Sequence, residues 1–230
     1  MLNKKQIEDW LFLMNIVGYV INNDLSVDVD GGVKISNKQL AKIPVKFRNV
    51  SGDFYCHNNN LTSLENCPSF VGGDFLCSRN RLTSLEHCPT SVGGDFYCDG
   101  NDIVSLEHCP TSVGGGFSCY SNYLTSLEHC PSSVGGSSVG GSFACDNNKL
   151  TSLEHCPTSV GGGFYCYNNN LTSLEHCPSS VGGEFMAGTI KVKCSPSVSK
   201  WLITKQKELF HIIDNPSPDM VTLYQMLWEI

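Results

Sequence analysis

The string Ser-Leu-Glu-His-Cys carries the residue types of a reactive site: a hydroxyl, a carboxylate, an imidazole and a thiol in a few consecutive positions, as in Ser84-Leu85-Glu86-His87-Cys88. Two chemistries are conceivable. Cysteine thiolate and imidazole are zinc ligands, and a hydroxyl or thiol beside a base is the raw material of nucleophilic catalysis. The string recurs, giving columns of Glu65, Glu86, Glu107, Glu128, Glu154 and Glu175 beside His87, His108, His129, His155 and His176. Zinc needs ligands that converge on one point, whereas neighbours in an extended segment point to opposite sides, so a buried Cys and its adjacent His are expected to diverge. Near-identical copies on a uniform face are also the opposite of one shaped, desolvated catalytic pocket. The expectation is an exposed ladder in which the histidines relieve repulsion among the glutamates, with no catalytic residue, no metal and no cofactor.

What positions these residues is a longer unit. Phe recurs at 54, 75, 96, 117, 143, 164 and 185, with the copy at Val92 to Ser112 reading VGGDFYCDGNDIVSLEHCPTS. The period is 21 residues, stretched to 26 between Phe117 and Phe143. A unit this short cannot enclose a core alone, so neighbours must stack into a solenoid. In Phe-x-Cys the period of two sends Phe and Cys inward and the residue between them outward. Asn59, Asn80, Asn101, Asn122, Asn148 and Asn169 recur where the chain leaves the strand, placed to bond backbone groups of their own and adjacent coils. Prolines such as Pro89 end the return segment, and the glycine pairs ahead of each Phe allow tight turning. Those pairs lack GxGxxG or a following GK[ST], so they do not read as a phosphate loop.

Composition narrows the partners. The chain has 230 residues, 40% apolar, with a formal charge of −7 and few, scattered basic residues. Nucleic-acid binding needs clustered Lys and Arg, so it is not expected. No apolar run approaches the roughly 20 residues of a membrane span, and the N-terminus lacks the order of a signal peptide, so a soluble cytoplasmic protein is expected. The 13 cysteines fall mainly in two columns, Cys56, Cys77, Cys98, Cys119, Cys145 and Cys166, and Cys67, Cys88, Cys109, Cys130, Cys156 and Cys177. Equivalent side chains of stacked coils lie about 5 Å apart, beyond the roughly 3.8 Å that Cβ atoms of a disulfide prefer, so reduced thiols acting as small core residues are expected.

The line Phe75-Leu76-Cys77-Ser78-Arg79-Asn80-Arg81-Leu82 can be laid on the leucine-rich-repeat pattern LxxLxLxxNxL, with Phe75 and Cys77 at the strand positions, Asn80 at the asparagine and Leu82 at the last leucine. In this the chain resembles short leucine-rich-repeat proteins of the kind encoded by bacteriophages, over roughly residues 33–192. The resemblance implies an α/β repeat solenoid: an arc with a concave parallel β-sheet, short irregular or 3₁₀ segments on the convex side, and protein binding as the usual activity, in a host cytoplasm if phage-encoded. The register reaches back to Val33-Lys34-Ile35 and forward to Phe185-Met186-Ala187, which makes about eight coils.

Residues 1–32 and 193–230 read as caps for the open ends. Residues 3–17 fit an amphipathic helix with Ile7, Trp10, Leu11 and Met14 on one side, followed by a strand around Ser26 to Val29. At the other end Val198, Trp201, Leu202, Leu209, Ile212 and Ile213 suggest a second helix, and Ser217-Pro218 starts a third. The near-duplicate Ser137 to Gly141 is expected to bulge as a Ser/Gly loop without breaking the strand register.

Variation between copies separates scaffold from surface. Phe, Cys, Asn and SLEHCP hardly change, whereas the positions flanking Phe and Cys do. One column reads Tyr55, Leu76, Tyr97, Ser118, Ala144, Tyr165, Met186; the next reads His57, Ser78, Asp99, Tyr120, Asp146, Tyr167. Tyrosines interleaved with Asp53, Asp74, Asp95 and Arg79 have the makeup of a protein interface. The expected partner-binding set is Tyr55, His57, Leu76, Arg79, Tyr97, Asp99, Tyr120, Tyr165 and Tyr167 with those three aspartates. Its expected partner is a bacterial host protein with a basic patch, an immunity component for instance. Self-association into a structural virion component, and carbohydrate or small-ligand binding, are the alternative readings.

Overall fold

A column of phenylalanines forms the spine of the molecule. In the computed structural model, which describes residues 2–131, 133–134 and 141–187, each repeat makes one turn of a parallel β-solenoid. Eight two-residue strands, from Val33–Lys34 through Phe54–Tyr55 to Phe185–Met186, pair in register into one sheet, and eight strands leave about seven complete turns between them. Pairing sets Phe54 against Phe75, Phe75 against Phe96, and so on. The rings stack inside with centroids 5.3–5.8 Å apart. Each turn adds a Cys, two branched aliphatic residues and a Val to this core, such as Cys77, Leu82, Leu85 and Val92, all essentially buried.

The return segment departs from expectation. Instead of short irregular or 3₁₀ segments, the Ser-Val dipeptides, and Phe-Val in one early coil, form a second parallel ladder, with Phe70–Val71, Ser91–Val92 and Ser112–Val113 in one sheet and Ser133–Val134, Ser159–Val160 and Ser180–Val181 in another. The inward β-branched valine suits a pleated strand, and every turn offers the same backbone groups to its neighbours. The α/β character is therefore not what the described residues show: they hold one helix, and the rest is strand and turn. At the insert the Phe sheet is unbroken, since Phe117 pairs with Phe143, whereas the Ser-Val ladder divides between Ser112–Val113 and Ser133–Val134. Most of the expected insert lies outside the described residues. So do all the residues expected to form C-terminal helices.

The glycine pairs serve close approach rather than unusual turning. A Cβ on Gly93 would lie 2.1 Å from the carbonyl oxygen of Gly72 in the preceding turn, so successive coils touch backbone to backbone there.

The N-terminal cap is shorter and more complex than expected. Helix α1 runs Lys4–Leu13 and starts in a capping box, in which Asn3 Oδ1 accepts the Gln6 N–H and Gln6 Oε1 accepts the Asn3 N–H. Ile7 and Leu11 are buried, and Trp10 packs against Phe47, the ring that closes the phenylalanine stack. Strand β1 (Tyr19–Ile21) then pairs antiparallel with β2 (Val27–Val29), and β2 pairs with Phe47–Val50 to begin the second sheet. Among the described residues no helix is long and apolar enough to cross a membrane.

Candidate functional site

The Glu-His-Cys string forms a turn, not an extended segment. The Cys88 N–H donates to the Leu85 carbonyl at 3.0 Å, and His87 sits at φ 67°, the left-handed conformation required at the third residue of a type II turn. His108, His129, His155 and His176 repeat it, with Asn66 at that position in an earlier coil. The imidazoles of His87, His108, His129 and His155 each stay near their own glutamate, with Nε2–Oε1 separations of 3.7–3.9 Å. The thiols point the other way, into the body of the solenoid: Cys109, Cys130 and Cys156 each donate to a histidine carbonyl one turn on, at 2.8 Å. The serine is occupied as well, Ser84 Oγ accepting the Glu86 N–H. Burial pushes the thiols up, Cys109 and Cys156 to about 12 and Cys98 and Cys119 well above their usual range, so neutral SH groups line the core. Among the described residues no three His, Cys, Asp or Glu groups converge as metal ligands.

The asparagine ladder matches expectation in detail. Asn101 Nδ2 donates to the carbonyls of Cys98 in its own turn and Cys77 in the turn before, while its Oδ1 accepts the N–H groups of Asn80 and Leu82. The residue before each asparagine is in the left-handed region, including Arg79 at φ 53° and Gly100 at φ 63°. This bend ends each strand of the Phe sheet and turns the variable side chains into a row.

On that face the structure divides the expected set in two. Asp53, Asp74 and Asp95 are committed to the sheet: the Oδ1 of each accepts the N–H one turn on, from Asp74, Asp95 and Gly116 at 3.1, 2.8 and 2.6 Å. Tyr97 donates to Asp95 at 2.8 Å and Tyr55 to Asp74 at 3.4 Å. Tyr165 makes the corresponding bond to Glu184 at 3.4 Å. Burial first, then these carboxylates, holds the Tyr55 hydroxyl up at about 12 and that of Tyr97 higher still. Tyr165 and Tyr167 stand farther along the row, where Tyr167 neighbours Asp146.

His57, Leu76, Arg79, Tyr97, Asp99 and Tyr120 come together along one groove of about 510 Å³, with Asn58, Ser78, Phe117, Ser118, Ser142 and Ala144 completing it. Asp99 does not project as expected: it is 6% exposed and accepts the Ser78 hydroxyl at 2.9 Å. Arg79 lies alongside, its N–H bonded to the Asp99 carbonyl, and both side chains act on the Tyr120 hydroxyl. Burial, then Arg79, pushes the His57 imidazole down, so it is held neutral. Two buried polar atoms in the groove have no hydrogen-bond partner among the described residues, His57 Nδ1 and Ser118 Oγ.

Ser118 and Ala144 were not in the expected set, and they matter most to the shape. They occupy the column that carries Tyr97 and Tyr165 on either side, and their small side chains open the row down to Phe117 and Ser142. The signal was present as the two smallest residues of a column of large ones. No family model and no curated protein matches the chain.

Proposed function

We propose that this protein is a non-catalytic binding module that recognises a protein through the variable side of its Phe sheet. What carries the reading is the contrast between a scaffold repeated turn after turn and a groove lined by residues that differ from turn to turn. Half-buried tyrosines held at their hydroxyls, as Tyr97 is by Asp95, offer large contact area with little side-chain entropy left to lose. The resemblance to phage-encoded leucine-rich-repeat proteins supports a host protein as the partner and the host cytoplasm as the place. The net charge of −7 favours a partner with a basic surface around the contact.

The test is affinity capture from a bacterial lysate with the wild-type chain and with a Tyr97→Ala/Tyr120→Ala variant. A protein retained by the first and lost by the second, with both chains still unfolding cooperatively, supports the reading. Equal retention by both overturns it.

A further inference from the structure

The groove has a length and a polarity that narrow what enters it. Its two unpartnered atoms, His57 Nδ1 and Ser118 Oγ, sit in turns begun by Phe54 and Phe117, three coil steps apart. Three steps of roughly 4.8 Å across the sheet and two residues along a strand at roughly 3.3 Å each place them roughly 16 Å apart. Four residues of extended peptide span about 14 Å, and their side chains i and i+4 lie on the same side of the chain. The remaining distance is within the reach of two side chains.

Charge decides the character of those side chains. Arg79 and Asp99 both line the groove between the two atoms, and their opposite charges offset one another, so an entering side chain gains little from a charge of either sign. Ser118 lines the notch at 7% exposed, and its hydroxyl, like His57 Nδ1, is itself covered, so a ligand reaches either atom as the side chains around the notch move aside. A buried polar atom left without a partner is costly, and a ligand that supplies one recovers that cost on binding.

Resting on the protein-binding reading above, we infer that the groove takes an extended peptide segment of the partner lying across the coils, with neutral hydrogen-bonding side chains at i and i+4. Hydroxyl or carboxamide groups serve at both ends, because each can donate and accept. The i end engages His57 and the i+4 end engages Ser118, or the reverse for the opposite chain direction. The residue at i+2 crosses Arg79 and Asp99 and is neutral as well.

The probe is a positional-scanning array of acetylated, amidated seven-residue peptides, read with the full chain. The expected result is enrichment of Asn, Gln, Ser, Thr or Tyr at two positions four apart. Ser118→Ala then flattens the preference at one of these positions and His57→Phe at the other, each weakening a selected peptide about tenfold, the worth of one well-placed hydrogen bond. Ser118→Ala removes the unpartnered hydroxyl, so a melting temperature at or above wild type confirms that this variant is folded. A helical three-and-four spacing, a preference for charged residues, or Ser118→Ala binding as tightly as wild type overturns the inference. Neutral oligosaccharides bound in place of any peptide overturn it in favour of a glycan site. If the Tyr97→Ala/Tyr120→Ala variant loses its captured protein while no peptide is selected, the protein-binding reading stands and the extended-peptide inference falls.

Discussion

The carboxylate of Asp95 accepts the backbone N–H of Gly116, one turn farther along the solenoid, at 2.6 Å, and its other oxygen holds the Tyr97 hydroxyl at 2.8 Å. An aspartate on the variable face is thus also a link between coils. Asp95→Ala is expected to lower stability by about 1–3 kcal/mol, because it strips a partly buried N–H and a tyrosine hydroxyl of their acceptor. Asp95→Asn keeps an acceptor oxygen and is expected to lose less. Urea unfolding of the two variants checks the order, and equal losses would contradict the assigned geometry.

Asn101 bonds backbone groups of adjacent turns from a position 6% exposed. Asn101→Ala is expected to cost at least about 3 kcal/mol, more than Asp95→Ala, since several buried carbonyls and amides lose partners together. Asn101→Asp is expected to be nearly as harmful, as a carboxylate cannot donate to the Cys77 and Cys98 carbonyls. Denaturation midpoints for the pair provide the check.

His87 occupies the left-handed region at φ 67° with its side chain exposed. That backbone costs an L-residue about 1–2 kcal/mol, so His87→Gly is expected to raise stability by about 1 kcal/mol despite the entropy of glycine. His87→Val, β-branched, is expected to lower it. Thermal unfolding that ranks Val above Gly would show that the turn is built differently.

The buried thiols predict alkaline sensitivity with a definite sign. Their folded-state pKa values lie above the ordinary thiol value, with Cys109 and Cys156 at about 12, because burial disfavours the thiolate. The unfolded chain therefore loses its protons first. The stability contributed is complete below about pH 8.5 and declines as pH rises toward about 12, at about 1.4 kcal/mol per pH unit for each thiol kept protonated. Urea midpoints are expected to fall steeply from about pH 8 to about pH 10. Iodoacetamide is expected to label these cysteines only as fast as the chain opens. A flat midpoint or rapid native labelling would contradict the burial.

The sheet register was legible in Phe-x-Cys because equivalent residues of identical turns must stack, and the asparagine ladder was legible because a buried amide at a strand end has few other partners. The Ser-Val strand was not. A two-residue strand in a segment rich in Pro, Gly and Ser carries no periodicity, and its identity comes from pairing with the turns on either side. The turn at Glu86-His87 was hidden because residues other than glycine are uncommon in the left-handed region, even though histidine enters it more readily than most. The roles of Asp95 and Asp99 escaped for a related reason: the direction of a carboxylate depends on the coil above it.

The repeat by itself determined that the chain is a solenoid, which side chains form its core and which column of residues varies, since these follow from period and identity alone. Only the tertiary structure decided what the variable column becomes. Stacking turns 21 or 26 residues apart in sequence brings Ser118, Ala144, Asp99 and His57 onto one groove. It also commits Asp53, Asp74 and Asp95 to neighbouring backbone. Those relations lie between coils, at distances that a single copy of the repeat does not encode.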